Sequence, residues 1–225
     1  MSSISDPEFS SIEILPEDYK KNDLSFKIIV IGDAGVGKSC LTSKASKGTF
    51  DEFYSATVGF EFLTFNVKIN DKIIKLQIWD TCGQEIYRSL ISSFYRNASL
   101  AMIVYSIDNK ESFIHINTWL KELKMQSNPD IKIFLIGNKV DLENRVVSYD
   151  EAKKLQSENE IGYLCETSAK TGLNAKEVFI HAAKLLYKEH LKYKEKQNNA
   201  NESEKKVATK LNKGKMENRN KGCCK

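Results

Sequence analysis

The sequence predicts a doubly wound α/β fold with a mostly parallel six-stranded sheet and one antiparallel hairpin at its edge. Two observations support this. Apolar, strand-like runs alternate with helical patterns along most of the chain, and Asn70-Asp71 separates two such runs at the spacing of a hairpin turn. The predicted strands lie near residues 26–32, 60–69, 72–80, 99–106, 131–137 and 161–166. The predicted helices lie near residues 37–47, 86–94, 110–126, 149–158 and 174–194.

Composition divides the 225 residues into three predicted parts. Residues 1–25 are rich in Ser, Asp and Glu and are expected to be a disordered extension. Residues 26–192 form the folded domain, and residues 193–225 have too few large apolar side chains to repay the cost of ordering. Because the first part has no apolar run suited to a signal peptide, we expect a cytosolic protein with reduced cysteines.

The first predicted strand runs directly into the glycine-rich segment Gly32–Ser39. Glycines at both ends let the backbone curl until successive N–H groups point at phosphate oxygens. Lys38 adds a positive charge, Ser39 offers a hydroxyl to Mg²⁺, and the following helix adds its positive N-terminal end. This pattern predicts a nucleoside triphosphate site. The predicted nucleotide contacts here are Gly35, Val36, Gly37, Lys38, Ser39 and Cys40.

The motif Asn138-Lys139-Val140-Asp141 follows a later apolar strand and predicts which base is bound. Asp141 can accept two hydrogen bonds at once, which matches the N1–H and exocyclic amine of guanine and does not match adenine. Asn138 is expected to hold N7 of the base and to tie this turn to the glycine-rich loop, while the stem of Lys139 covers the purine face. A further turn after the last strand offers a backbone N–H to guanine O6. The predicted base contacts are Asn138, Lys139, Asp141, Ser168, Ala169 and Lys170.

A third motif predicts the metal site and the catalytic step. The strand ending in Asp80 supplies the carboxylate typical of a Mg²⁺ site, reached here through water. Gly83 can bring a backbone N–H against the γ-phosphate, and Gln84 lies where an attacking water must be oriented. Thr57 offers a second hydroxyl, so that Ser39, Thr57 and Asp80 form the predicted metal set and Gln84 is the predicted catalytic residue.

Together these motifs resemble the Ras superfamily, and their spacing resembles its Rab branch. The resemblance covers roughly residues 26–190 and the last few residues. Rab-like stretches stand at residues 58–62, 75–85, 87–89, 94–98 and 103–108. The resemblance implies the P-loop small GTPase fold, with Phe50 edge-on against the guanine and Tyr54 closing over the phosphates. It also implies that Phe62, Trp79 and Phe94 form an aromatic triad displayed to effectors, although core packing is the alternative role for these rings.

What the resemblance implies for function is a timed switch with GTP or GDP bound beside Mg²⁺. Unassisted hydrolysis in such sites runs at roughly 10⁻⁴ s⁻¹, and a partner's arginine adds on the order of 10³ to 10⁵. The implied partners are an exchange factor, a GTPase-activating protein, a GDP-dissociation inhibitor, escort and prenylation machinery, and effectors.

The C-terminal tail predicts membrane attachment. Residues 193–225 contain ten Lys and Arg against four Glu, and Cys223-Cys224 stand beside each other just before Lys225. The cysteine pair resembles the endings on which Rab proteins receive geranylgeranyl groups, although the trailing lysine departs from a bare Cys-Cys end. The absence of interleaved aromatics favours an anionic membrane over nucleic acid. We therefore expect attachment to the cytosolic face of an endomembrane.

Cys82 keeps a second interpretation open. It stands where the family most often has Ala, and either alters hydrolysis or the balance of switch conformations, or is simply accommodated. If it blocks turnover, the protein is a GTP-binding membrane adaptor with little or no hydrolysis. An ATPase or small-molecule kinase is the other alternative, against which Asp141 argues.

Overall fold

The computed structural model describes residues 9–52, 57, 59–83 and 94–219, with side chains as far as residue 198. Within these residues the strands are β1 (Ile12–Leu15), β2 (Leu24–Ile31), β3 (Phe60–Ile69), β4 (Lys72–Thr81), β5 (Leu100–Ser106), β6 (Lys132–Asn138) and β7 (Tyr163–Glu166). The helices are α1 (Lys38–Ser46), α2 (Lys110–Ile114), α3 (Ile116–Gln126), α4 (Tyr149–Glu158) and α5 (Glu177–Arg219).

The strands form one sheet in the order β1-β3-β4-β2-β5-β6-β7. β2 lies parallel to β4 and β5, and β6 lies parallel to β5 and β7. β3 is antiparallel to both β4 and β1. The predicted doubly wound α/β fold with an antiparallel edge is therefore confirmed, although the described chain has seven strands where six were predicted. The helix predicted over residues 86–94 falls outside the described residues except for its last residue.

Burial on both faces of the sheet explains why the sequences of the central strands are continuously apolar. Every residue of β5 is buried, and the last four residues of β2 are fully buried. Such continuous apolar strands fit the middle of a sheet that is covered on both faces. Trp119 and Leu123 of α3 pack into the same core. The polar loops that follow β2, β4 and β6 are thereby brought to one edge of the sheet, where ligands of this class of fold bind.

The N-terminal extension differs from the disorder expected of residues 1–25. β1 pairs with β3 from Ile12 opposite Ile69 to Leu15 opposite Asn66. The side chain of Asn66 also donates to the carbonyl oxygens of Pro16 and Glu17, at 2.8 and 2.9 Å. A short strand gains stability here because β3 would otherwise present unpaired backbone groups at its edge. The composition of residues 1–25 alone does not indicate that the edge of β3 is available for pairing.

The C-terminal segment also differs from its prediction. α5 continues to Arg219, well into the tail that was expected to be disordered. Residues 1–184 and 185–225 form two compact units, and α5 contributes to both. The residues beyond 192 contain no proline and are rich in Lys and Glu, whose straight side chains carry little helix penalty. In the described part of the chain, no helix combines the length and apolarity that crossing a membrane requires.

Candidate functional site

A cavity of about 510 Å³ lies at the edge of the sheet where β2, β4 and β6 end. Its volume is in the range of small-molecule sites. The predicted residues that line it are Gly35, Gly37, Lys38, Ser39, Cys40, Phe50, Thr57, Gly83, Asn138, Lys139, Asp141, Ala169 and Lys170. Val36, Asp80 and Ser168 do not line it but are buried behind it. Two other predicted residues, Tyr54 and Gln84, lie outside the described residues, as do Cys223 and Cys224.

The glycine-rich loop brings backbone N–H groups to the cavity. Gly37 precedes α1 with a φ of 92°, a left-handed conformation that favours glycine. A Cβ atom at Gly37 would lie 2.4 Å from the side-chain nitrogen of Asn138, so a larger residue does not fit. Because Gly37 has no side chain to cap the helix, the first amides of α1 remain available to an anion.

Lys38 is a buried cation at the floor of the cavity. Only 5% of the residue is exposed, and its Nζ donates to the carbonyl oxygens of Gly32 and Asp33 at 2.9 and 2.7 Å. Burial lowers the pKa of Lys38, an effect that the nearby Asp80 carboxylate opposes. An ammonium has three N–H donors, of which these carbonyls use two. The third can serve an acceptor in the cavity, as a phosphate-binding lysine requires.

Ser39, Thr57 and Asp80 converge as predicted. Ser39 Oγ lies 2.7 Å from Thr57 Oγ1 and donates a hydrogen bond to Asp80 Oδ2. The second carboxylate oxygen, Asp80 Oδ1, is buried and accepts no hydrogen bond from the residues that the structure describes. Burial raises the pKa of Asp80 to about 6, and Glu61 adds to the rise, whereas the Ser39 hydroxyl and the Lys38 charge oppose it.

This group of oxygens fits Mg²⁺. A buried carboxylate with an unsatisfied oxygen is costly unless a cation or donor compensates it. Hard oxygen donors, few carboxylates and adjoining phosphates are the usual environment of Mg²⁺ in nucleotide sites. Ser39 and Thr57 would hold the ion through their hydroxyls and Asp80 through water. When bound, the ion would neutralise charge on the phosphate oxygens.

Asn138 joins three loops on the opposite side of the cavity. Its side-chain amide donates to the carbonyl oxygen of Val36 at 2.9 Å, which is the predicted tie to the glycine-rich loop. Its Oδ1 accepts from the Thr167 hydroxyl at 3.1 Å and from the Ala169 backbone N–H at 3.2 Å. The base-contacting turns and the phosphate loop are therefore fixed to each other by protein groups alone.

Asp141 is oriented by a residue buried behind it. The Ser168 hydroxyl donates to Asp141 Oδ1 at 2.6 Å, and the Thr171 backbone N–H in turn donates to the Ser168 oxygen at 3.0 Å. Ser168 itself is fully buried. A carboxylate oxygen has two lone pairs, so this bond orients Asp141 and leaves acceptor capacity for two N–H donors of a base.

Glu52 is a site residue that sequence analysis missed. Its Oε1 lies 3.0 Å from Lys170 Nζ, and both residues line the cavity. The bridge joins the segment after Phe50 to the last base-contacting turn, 118 residues further along the chain. The only signal for Glu52 in the sequence was its position close to Phe50. Ion pairs between residues 118 positions apart leave no local sequence pattern. Other unpredicted lining residues are Ala34, Asp51, Cys82 and Leu142.

Cys82 is a buried residue of the cavity wall. It is 2% exposed, and its backbone N–H donates to the carbonyl oxygen of Gly59 at 2.9 Å, which joins the segment after Thr57 to the segment that contains Gly83. The next residue, Gly83, packs tightly against the phosphate loop, where an added Cβ would lie 2.4 Å from the Ala34 nitrogen. Cys40, Cys82 and Cys165 are free cysteines in the structure.

The predicted aromatic triad is present, with a fourth ring. The Trp79 ring lies 5.3 Å from that of Phe62 and 5.1 Å from that of Phe94. Phe60, which sequence analysis did not select, lies 4.7 Å from Phe94. Phe60 and Phe62 are 48% and 47% exposed, whereas Trp79 and Phe94 pack against the core. The cluster thus combines two exposed rings with two that pack against the core. Phe60 shares a strand face with Phe62, since side chains alternate along β3.

Comparison with known families assigns this arrangement. The model of the Ras family matches residues 27–188, which is more than half of the chain. The match spans the glycine-rich loop, the metal set and both base-contacting turns. Members of this family generally bind guanine nucleotide and Mg²⁺, hydrolyse GTP, and work with exchange factors, activating proteins and effectors. The chain therefore belongs to the Ras family and is a GTP-binding switch GTPase.

Proposed function

We propose that this protein is a Rab-type switch that hydrolyses GTP slowly, recruits effectors to a membrane while GTP is bound, and acts in vesicle trafficking. The observation that carries the nucleotide part of the proposal is the single cavity in which Lys38, Thr57, Gly83 and Asp141 meet. Phosphate, γ-phosphate and base contacts are thereby available to one ligand. Residue motifs and the tail support the Rab and membrane parts.

Each side of the cavity has its own task. Lys38 and the N-terminus of α1 bind the phosphates, while Asp141 and the Ala169 backbone N–H read the guanine. Thr57 and the Gly83 backbone hold the γ-phosphate end. Gln84 orients the attacking water in this proposal. Loss of the γ-phosphate releases the segments around Thr57 and Gly83, so effectors that bind the ordered state dissociate.

Slow turnover follows from the residues around the phosphates. The lining of the cavity contains Lys38 but no arginine within the described part of the chain. Without an arginine to neutralise the transition state, hydrolysis stays near 10⁻⁴ s⁻¹, and an activating partner accelerates it by about 10³ to 10⁵. An exchange factor is also needed, because the bound nucleotide is held on several sides of the cavity.

Single-turnover hydrolysis tests the proposal against the adaptor alternative. Purified protein loaded with GTP is followed with and without a Rab-activating domain, alongside Gln84→Leu and Cys82→Ala. The proposal predicts slow phosphate release that the domain accelerates, and loss of that acceleration in Gln84→Leu. Absence of release under every condition, with GTP still bound, would establish the adaptor. A Cys82→Ala protein that alone regains hydrolysis would assign the block to Cys82.

Membrane attachment is tested separately. We propose that Cys223 and Cys224 carry geranylgeranyl groups and that the basic tail adds attraction to anionic lipids. A GDP-dissociation inhibitor and escort and prenylation machinery are the partners that this requires. Fluorescently tagged protein is compared in cells with a Cys223→Ser/Cys224→Ser version. The proposal predicts membrane localisation that the double variant loses; equal distributions of the two proteins would refute the lipid anchor.

A further inference from the structure

Asp33 of the phosphate loop does not line the cavity, and its carboxylate is held at both oxygens. His115 Nδ1 lies 2.6 Å from Asp33 Oδ2, and Trp119 Nε1 donates to Asp33 Oδ1 at 2.9 Å. His115 immediately precedes α3 and Trp119 lies in its first turn, both more than eighty residues away in the chain. Two hydrogen bonds to one ionised carboxylate fix its plane as well as its position.

The main chain of the same residue contacts the catalytic machinery. The Asp33 carbonyl oxygen accepts the 2.7 Å hydrogen bond from Lys38 Nζ. Gly83 lies against it so closely that an added Cβ would stand 2.6 Å from that oxygen. A shift of Asp33 therefore moves an acceptor of the phosphate-binding lysine and presses on the residue that contacts the γ-phosphate.

The two partners of Asp33 differ in kind. Trp119 is 1% exposed and belongs to the hydrophobic core, so its N–H is a rigid anchor. His115 has 49% of its side chain exposed, and histidine changes charge within the physiological pH range. The charged group that faces His115 from the phosphate loop is Asp33. The carbonyl oxygen of Asp33 in turn accepts a hydrogen bond from the Lys38 ammonium. On its own segment, Glu111 lies one turn earlier and accepts the His115 backbone N–H through its carbonyl oxygen.

We propose that Asp33 is a positioning residue for Lys38. We also propose that the contact between His115 and Asp33 holds the phosphate loop with a strength that depends on pH. The inference rests on the nucleotide binding proposed above. A neutral His115 can donate one hydrogen bond to Asp33, whereas a protonated His115 adds a charge-assisted ion pair. The loop is therefore held more firmly when His115 is protonated than when it is neutral, and bound GDP leaves more slowly from the protonated form.

Dissociation of a fluorescent GDP analogue, measured from pH 5.5 to 8.5 with Mg²⁺ in excess, tests the inference. Wild-type protein should release GDP about two to five times faster at the alkaline end than at the acidic end, the modest step expected of a half-exposed pair. His115→Gln keeps a donor but cannot become charged, and should lose this step. The chain has three histidines, so His190→Gln in α5 is the matched control and should keep the step.

Asp33→Asn provides the second variant. It removes the charge that both partners bind, so GDP release should accelerate by on the order of tenfold and lose the same pH step. A step of equal size in wild type and His115→Gln, or its survival in Asp33→Asn, overturns the inference while leaving GDP binding established. Failure of the wild-type protein to retain the analogue at any pH overturns the proposed function itself.

Discussion

The base side and the phosphate side of the cavity differ in how far the protein satisfies its own polar groups. On the base side, Asn138 is bonded to two other loops and Asp141 is bonded to Ser168. On the phosphate side, Lys38 is buried against carbonyl oxygens and Asp80 has an oxygen without a hydrogen bond from the described residues. The base side is thus preorganised to select guanine, whereas the phosphate side is completed by what it binds.

This difference explains how one cavity combines selectivity with switching. Selection requires polar groups that are already in place, because a wrong base then leaves them unpaired. Switching requires groups whose best arrangement depends on the ligand, because a ligand shifts an equilibrium only by its differential affinity for the two states.

Removing the buried cation should have the largest effect. Lys38→Ala leaves the phosphates without their charged partner, and truncating one member of a buried charge pair typically weakens binding by about 10² to 10³-fold or more. Equilibrium competition for GDP measures the loss. The control is Lys72→Ala, which removes an exposed lysine paired with Asp23 at the β3–β4 hairpin. Equal affinities of wild type and Lys38→Ala would contradict the assigned role of this lysine.

On the base side, Asp141→Asn should change selectivity rather than phosphate binding. The amide still accepts the Ser168 hydrogen bond but offers an N–H where guanine also has donors, so GTP affinity should fall by about 10²-fold. Xanthosine triphosphate, which has an acceptor at that position, should gain. Competition with both nucleotides measures the exchange, and undiminished GTP affinity would revive the ATPase or kinase alternative.

Asp80 should give the nucleotide-free protein an unusual dependence on pH. Because its folded pKa is raised from 3.8 to about 6, the ionised form costs folding stability above pH 6, and that cost disappears as the pH falls toward the unfolded value. Asp80→Asn removes the charge and should stabilise the stripped protein by about 2 kcal/mol at pH 8, with less benefit at pH 5.

Denaturant unfolding in EDTA measures this difference at the two pH values. Addition of Mg²⁺ and GDP should reverse the order, since the ionised carboxylate then has its cation. A pH-independent difference between wild type and Asp80→Asn would contradict the account of the metal set.

The smallest effect is expected at the Glu52–Lys170 bridge. The side chains are 66% and 57% exposed, and exposed ion pairs contribute little. Glu52→Gln should therefore speed GDP release by no more than about fivefold, with less effect at high salt. The charge-reversed pair Glu52→Lys/Lys170→Glu should restore slow release. If the double variant releases GDP as fast as either single charge reversal, the bridge does not contribute to nucleotide retention.

Local motifs allowed most of the site to be predicted, and long-range contacts explain what was missed. The glycine-rich loop, Asp80, Asn138 and Asp141 each stand in a short pattern whose residue types the chemistry requires. Their placement then follows from the parallel strands that precede them. Thr57 was predicted in the same way and lies 2.7 Å from Ser39.

The missed features depend on partners that are distant in sequence. Glu52 matters because Lys170 faces it, and Asp33 matters because His115, just before α3, and Trp119 of α3 bind its carboxylate. β1 forms because β3 has a free edge, although its own composition resembles a solvated segment. Such features require the three-dimensional arrangement before the relevant residues can be selected.

The most direct test of a preorganised base side and a ligand-completed phosphate side is competition between GDP and ADP on nucleotide-stripped protein, with Mg²⁺ and with EDTA. Because distant, independent contributions add, removing Mg²⁺ should weaken GDP binding and leave the preference for GDP over ADP, about 10²-fold or more, unchanged. A preference that collapses together with the metal would contradict the account, and so would failure to bind GDP at all.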